Sequence, residues 1–268
     1  MKMKKSVKVL VVSMIAVLAM GALAGCGSKD EGASSDVTTY IAATEPTYAP
    51  FDTTDEDGNI VGFDMDLLNA IAEDQGFKVE YKTFEFDAIV PAVNAGNADI
   101  VAAAMNVTEK RAEQVDFSDK YFDSGKVILV KKDNDTIKDV EDLTSEMKVA
   151  AQIGTTEGDY VQELADAGTI GQAVVLNKTT DCILQLQNGD VDAVIMDAPV
   201  AKYYNNKYGD EIKQLDATID PAPMAFAVQK GNSELLDKIN TGLKNVKENG
   251  TYDDLVKKWF ESDESVAE

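Results

Sequence analysis

The sequence predicts an α/β protein built from two lobes of similar design. Three observations carry this. Short apolar strands alternate with amphipathic helices along the chain, the pattern of sheets with helices packed on them. One unit occurs twice, a helix stopped by Gly and followed by a buried strand: "NAGNADIVAAAM" in the first half and "QNGDVDAVIMD" in the second. Two further stretches, "KVILVKK" (126–132) and "MAFAVQKG" (224–231), read as extended crossings between the halves.

The chain starts with "MKMKKSVK", basic and free of acids, and continues with "VLVVSMIAVLAMGALAG", apolar and closing on small residues. This is the pattern of a secretory signal rather than a spanning helix. It runs into "LAGC", where Leu, two small residues and Cys resemble the lipobox of bacterial lipoproteins. The expectation is a signal peptide over residues 1–25, a lipid on Cys26 and a tether over residues 26–36. The stretch "GSKDEGASSD" within it is small, polar and without periodicity. Removal of residues 1–25 takes away four lysines and no acid, moving the formal charge from −23 to −27.

The folded part is expected from Val37. "TYIAATE" reads as a strand, and Asp57-Gly58 in "DEDGNIVGF" signals a hairpin-like turn. "DMDLLNAIAEDQGF" is an amphipathic helix. Asp64 is its candidate cap, Leu67, Leu68, Ile71 and Ala72 share a face, and Gly76 sits past the end. "KVEYKTF" alternates as a strand. "DAIVPAVNAGNA" is a helix with Asp87 as candidate cap and Gly96 as stop, and "ADIVAAAM" is a strand of the kind buried in a parallel sheet. The second half repeats the alternation in "MKVAAQIG", "TTEGDYVQELADAG", "AVVLN", "TTDCILQLQNG" and "VDAVIMD". The last segment is helical with a break at Asn249-Gly250. Packed back on the first lobe, it gives one lobe from residues 37–127 plus 225–262 and another from 128–224. The cleft between them is the natural ligand site.

Composition removes several functions. The net charge of −23 argues against nucleic acid, whose phosphates need clustered Lys and Arg. The chain has no histidine, which excludes His-based triads and His-ligated metal sites. With Cys26 lipidated, Cys182 is alone in an apolar helical pattern and reads as a small buried hydrophobe. GxGxxG, Walker A, HExxH and GxSxG motifs are absent. No metal or cofactor is expected.

Ligands of α/β sheets collect at the carboxyl ends of strands. Four such ends are legible. The first supplies Glu45, Tyr48 and Phe51. The second supplies Ala103, Ala104 and Asn106, then "TEKR", where Thr108 caps a helix and Arg111 is its third residue. Arg111 is the only arginine of the chain, against 24 lysines. The third supplies Gly154, Thr155 and Thr156 at a helix N-terminus, an anion site by its free N–H groups. The fourth ends at Asp197. With Phe86 added, this set complements a zwitterion. A guanidinium grips a carboxylate through two parallel bonds in a fixed plane, which lysine cannot do.

Over residues 38–260 the sequence resembles the extracytoplasmic amino-acid-binding receptors of ABC importers, of the polar amino acid type and in lipoprotein form. The stretches that carry the resemblance are "ATEPTYAPF", "GNIVGFDMDLLNAIA", "FDAIVPAVNAGNADI", "VTEKRAEQVDFSDKYF", "GTTEGDY", "DVDAVIMDAP" and "KENGTYDDLVKKWF". The resemblance implies a two-lobe, periplasmic-binding-protein-like (Venus-flytrap) fold with two hinge strands. It implies Arg111 on the ligand α-carboxylate, with Asn106, Thr155 and Thr156 beside it. Asp197 would take the α-ammonium with Ala103 or Ala104, and Glu45, Tyr48, Phe86 and Gln152 would meet the side chain. Asn106 stands where the family commonly has Ser or Thr, and Ala104 where it often has Gly or Ser.

The expected partners are a free amino acid, the membrane subunits of an ABC permease and the membrane itself through the lipid, with the protein monomeric on the outer face of the bacterial cell membrane. Glu45 near two aromatic rings favours arginine or lysine, with glutamine next. Two other functions stay open: a dehydratase-like enzyme on the same fold, and a sensor for a separate signalling partner.

Overall fold

The computed structural model describes residues 37–261; the expected signal peptide, Cys26 and the tether lie outside them. The first sheet has five strands in the order Lys78–Thr83, Thr39–Thr44, Ile100–Val101, Ala227–Gln229, Val115–Phe117. Its first three strands are parallel, and Ala227–Gln229 runs antiparallel to both neighbours. The second sheet runs Ile212–Gln214, Phe122–Lys131, Ala193–Asp197, Lys148–Gln152, Gln172–Leu176, with Ile219–Met224 also paired to Phe122–Lys131. The last three strands of that row are parallel, as their continuous apolar character requires.

The chain passes between the sheets twice, in Phe122–Lys131 and Ile219–Met224, which are hydrogen-bonded antiparallel from Phe122↔Met224 to Ile219↔Lys126. From Lys126 onward the first of these already pairs with Ala193–Asp197. The crossing thus starts upstream of "KVILVKK", at Phe122. The segment "MAFAVQKG" has its Ala227–Gln229 part inside the first sheet.

Local chemistry explains the elements. Helix Phe63–Gln75 buries Leu67, Leu68, Ile71 and Ala72 and ends at Gly76 in the left-handed region (φ 71°). The N–H of Phe77 closes back on the Ala72 carbonyl. Helix Ser233–Glu248 buries Leu235, Ile239, Leu243 and Val246 and packs on it. Gly242 permits that contact, since a Cβ there would lie 2.8 Å from Ile71 Cγ2. The expected break at Asn249-Gly250 is present, with Gly250 at φ 88° before helix Thr251–Val256. Phe260 then packs 5.0 Å from Phe63, 5.2 Å from Phe51 and 4.9 Å from Phe122 between ring centroids. This aromatic cluster fastens the C-terminal segment to the first lobe; each fully buried ring is worth roughly 1.5–3 kcal/mol.

Two expected caps are not caps. Asp64 makes no capping bond; helix Phe63–Gln75 starts from Gly62, and the Asp64 carboxylate is fully buried beneath the cleft. Asp87 lies inside a 3-10 turn, Phe86–Ala88, that leads into helix Ile89–Asn94, and it too caps nothing. One helix escaped the sequence pattern, Ala198–Lys207. Asp197 before Ala198-Pro199 reads equally as a turn or a cap residue; it stands at the N-cap position of this helix without a side-chain capping bond, and Pro at the second helical position costs no hydrogen bond. Cys182 is buried as expected, and burial pushes its thiol up to about 12.

Candidate functional site

Each strand end places its residues by a local device. After Thr39–Thr44 the chain turns through Glu45–Asp52. There the buried Asp52 carboxylate accepts from the Thr44 hydroxyl (2.7 Å) and the Glu45 N–H (3.4 Å). After Ile100–Val101, Ala104 sits at φ 46°, a left-handed backbone that a side chain disfavours. Its N–H donates to Asp64 Oδ2 at 2.7 Å, and the Tyr121 hydroxyl donates to the same oxygen at 2.8 Å. Burial raises the Asp64 carboxyl to about 7. The residue that looked like a helix cap is therefore the pin under the second strand end.

Helix Glu109–Ala112 is capped by Thr108, whose hydroxyl accepts from the Arg111 N–H at 3.2 Å. Arg111 is its third residue, as expected. Its guanidinium donates to the Asn106 carbonyl (2.6 Å) and, across the cleft, to the Gly154 carbonyl (2.8 Å). The Phe86 ring lies 5.5 Å from the guanidinium carbon.

After Lys148–Gln152, Thr155 caps helix Thr156–Asp166. Its hydroxyl donates to the Gln152 carbonyl (2.7 Å) and accepts from the Gly158 N–H (3.0 Å). Both roles of that hydroxyl are used in the cap. A Cβ at Gly158 would fall 2.5 Å from the Gln152 carbonyl oxygen, so glycine lets the helix start sit down on the strand end. The Thr156 hydroxyl lies 3.1 Å from both Asn106 Oδ1 and Glu157 Oε1 as its acceptors.

The two sides meet directly. The Tyr48 hydroxyl donates to Asp197 Oδ2 (2.8 Å) and accepts from the Asp197 N–H (3.3 Å). Gln152 Nε2 donates to Glu45 Oε2 (2.9 Å), while Gln152 Oε1 accepts from Thr179. The Tyr204 hydroxyl donates to the Thr47 carbonyl at 3.2 Å. Burial is the first cause of the acidity changes here. It raises Glu45, and it raises Asp197 to about 8, helped by the neighbouring Glu157 charge. It lowers Arg111 below the usual guanidinium range, against the pull of the neighbouring Glu157 charge.

Two adjoining hollows, each with room for about one water (a cavity volume of about 10 Å³), remain between these groups. One is lined by Tyr48, Phe86, Ala104, Asn106, Gln152, Thr155, Glu157 and Asp197. The other shares Tyr48, Gln152, Thr155 and Glu157 and runs back to Thr179, Cys182 and Met196. Of the expected residues, Arg111 and Thr156 bond at the wall, and Glu45 reaches the hollows through Gln152. Ala103 is 3% exposed in the core with Phe86. Glu157 escaped the sequence reading. Its only signal is its place after Gly-Thr-Thr at a strand end, where an acid in the first turn also suits the helix dipole.

The hollow lined by both Asn106 and Glu157 holds an unpaired donor and an unpaired acceptor. Asn106 Nδ2 and Glu157 Oε2 are buried and have no hydrogen-bond partner. Leaving such groups unpaired is costly, so the arrangement suits a small molecule with an anionic and a cationic end.

Comparison with known proteins agrees with this geometry. Residues 40–262 match the family described as bacterial extracellular solute-binding proteins, family 3. A probable histidine-binding protein of Neisseria gonorrhoeae is 34% identical over 248 residues, covering 89% of this chain and 91% of that protein. The arginine-binding extracellular protein ArtP of Bacillus subtilis (strain 168) is 33% identical over 261 residues, covering 96% and 98%. Among solved structures, an ancestral arginine-binding protein bound to arginine aligns with a TM-score of 0.79 at 43% identity, over 83% of this chain and 98% of that one. The ancestral amino acid-binding protein AncCDT-1, a precursor of cyclohexadienyl dehydratase, aligns at 0.77 and 39% identity, over 83% and 95%. With the two-lobe fold and a family match over nearly all the described residues, the chain belongs to the bacterial extracellular solute-binding proteins, family 3.

Proposed function

We propose that the chain captures a free polar amino acid between its lobes and delivers it to an ABC permease. The observation that carries this is the hollow, lined by Asp197, in which Asn106 Nδ2 and Glu157 Oε2 lie unpaired, with the Arg111 guanidinium bonded to the Asn106 carbonyl beside it. Arg111 grips the α-carboxylate, with Asn106, Thr155 and Thr156 beside it. Asp197 takes the α-ammonium, with the Ala103–Ala104 backbone nearby. Glu45, Tyr48, Phe86 and Gln152 form the side-chain end, and a cationic amino acid is favoured, with glutamine next. Cross-cleft bonds draw the lobe of residues 128–224 onto the lobe of 37–127 plus 225–262. A ligand that touches both favours that closed arrangement by its differential affinity. The permease then meets both lobes at once, while a lipid on Cys26 keeps the monomeric receptor at the outer face of the membrane.

A binding role fits the site better than catalysis does. A substrate without an α-amino group would leave the buried Asp197 without its cation. The test is a thermal-shift panel of the free amino acids on the full chain. A true ligand at 1,000 times its Kd adds about 4 kcal/mol of stability. A panel in which no amino acid raises the melting temperature would overturn the reading.

A further inference from the structure

We propose that Glu157 is the carboxylate that selects the side-chain charge of the ligand, so that the cleft takes amino acids with a second positive group, a guanidinium or a primary ammonium. This rests on the amino-acid reading above and moves its charge selection from Glu45 to a residue in the first turn of the second lobe's helix.

The position of Glu157 is the first support. It is the second residue of helix Thr156–Asp166, and only 2% of it is exposed. An acid in a first helical turn usually keeps to water, where the helix dipole favours it at little cost. This one is taken out of water. One oxygen accepts from Thr156, and the other is buried with no partner. No Lys or Arg forms an ion pair with it among the described residues. A buried carboxylate with an open acceptor is costly unless a donor arrives, and a charged donor repays the most.

Glu45 is differently placed. Its Oε2 is already engaged by Gln152 Nε2 at 2.9 Å and by the Thr47 hydroxyl at 2.7 Å. Neither hollow is lined by Glu45, whereas both are lined by Glu157. Gln152 is held at both ends of its amide, by Glu45 and the Asn177 carbonyl on one side and by Thr179 on the other. Glu45 thus acts at one remove, fixing Gln152 as part of the wall.

Charge balance points the same way. Three buried carboxylates, Glu45, Asp197 and Glu157, share the region with two buried cations, the Arg111 guanidinium and Lys126, the latter beside Asp197. A ligand α-carboxylate uses that guanidinium and an α-ammonium uses Asp197. Arg111 lies within reach of the Glu157 charge but makes no bond to it, so a neutral side chain leaves Glu157 Oε2 without a charged donor and a cationic one supplies it. A small hollow, about the size of one water, runs from Glu157 back past Tyr48 to Thr179 and Met196, and a side chain reaching Glu157 would enter along that line as the lobes part.

The experiment is isothermal titration calorimetry on the full chain, with L-arginine, L-lysine, L-glutamine and L-citrulline, the neutral isostere of arginine. Wild type should bind arginine about 30-fold tighter than citrulline, the scale of one charge-assisted bond. Glu157→Gln should close that gap to about threefold with citrulline and glutamine little changed, and Glu45→Gln should keep most of it. Glu157→Asp, which keeps the charge but retracts it, should shrink the gap without erasing it. The proposal is overturned if Glu157→Gln weakens all four ligands alike, or keeps the gap. It is also overturned if wild type shows no gap, or if Glu157→Asp leaves the gap at its full size. Wild type that binds none of the four, while another free amino acid raises its melting temperature, sinks this inference and leaves the amino-acid reading standing; no shift with any free amino acid sinks both. Wild type that binds glutamine yet ignores the charge of the others sinks only this inference.

Discussion

The Arg111 guanidinium donates to the Gly154 carbonyl at 2.8 Å, joining a helix of the first lobe to a strand end of the second. The same side chain holds the Asn106 carbonyl at 2.6 Å. One planar cation therefore serves both lobes, which explains why the only arginine of the chain stands here. Arg111→Lys keeps the charge but not the fork, and we expect amino-acid affinity to fall about 100-fold. Calorimetry measures this; affinity within threefold of wild type would show that the planar geometry is unimportant.

Tyr48 meets Asp197 from the opposite lobe at 2.8 Å, with both groups buried. Tyr48→Phe keeps the ring and removes that bond. A hydrogen bond to a charged group is worth about 1.5–3 kcal/mol, so binding should weaken about tenfold or more. Full affinity in Tyr48→Phe would exclude the hydroxyl from the closing surface.

Asp197 faces Tyr48, Ser124, Lys126 and Glu157, and its carboxyl is raised to about 8 from an ordinary value of 3.8. The folded protein holds this proton where an unfolded chain has lost it. Its stabilising share is full below pH 4 and fades as pH rises through 8. A ligand ammonium needs the ionised form, so binding near pH 6 should release close to one proton and tighten as pH rises toward 8. Titrations in two buffers of different ionisation enthalpy count that proton. No buffer dependence at pH 6 would contradict the assignment, and Asp197→Asn should abolish the release.

Gly154 sits at φ 77°, and a Cβ there would lie 2.8 Å from Asp87 Cβ on the facing lobe. Gly154→Ala adds both backbone strain and a collision in the closing surface. Small-angle scattering with saturating amino acid should show less compaction than wild type, and affinity should drop about tenfold or more. Unchanged compaction would mean the lobes close without this contact.

Asp64 lies under the site rather than in it. Its carboxyl is raised to about 7 from 3.8 by burial, while the Ala104 N–H and Tyr121 hydroxyl pull it down in part. The nearby buried Asp52 is raised well above its ordinary value, first by burial and then by the Asp64 charge. Both groups bind protons more tightly when folded, so stability should decline from pH 4 to pH 7. Asp64→Asn should flatten that slope in a melting-temperature series while costing about 1–3 kcal/mol overall. A slope unchanged by the substitution would assign the effect elsewhere.

Strands, helices and their order were legible because each buries one face, and burial leaves a period in the sequence. The strand ends were legible for the same reason, which is how Arg111, Thr155, Thr156 and Asp197 came into view. Asp64 and Glu157 were not read correctly. Both are acids in a first helical turn, and the sequence looks the same whether such an acid faces water or the cleft. Only the packing of Tyr121 and Ala104 over one, and of the facing lobe over the other, decides it. Helix Ala198–Lys207 was missed because Pro199 marks a turn and a helix start equally well.

The carbonyls of Asn106 and Gly154 and the kink at Ala104 belong to the main chain, so substituting a neighbouring side chain does not delete them. With the proposed roles, they frame the part that every amino acid has in common. On the same proposal, the side chains of Glu157, Gln152 and Tyr48, which line the hollow, meet the part that differs between amino acids. A receptor divided this way can change its nutrient by single codon changes at the far end while keeping intact the grip that defines its class of cargo.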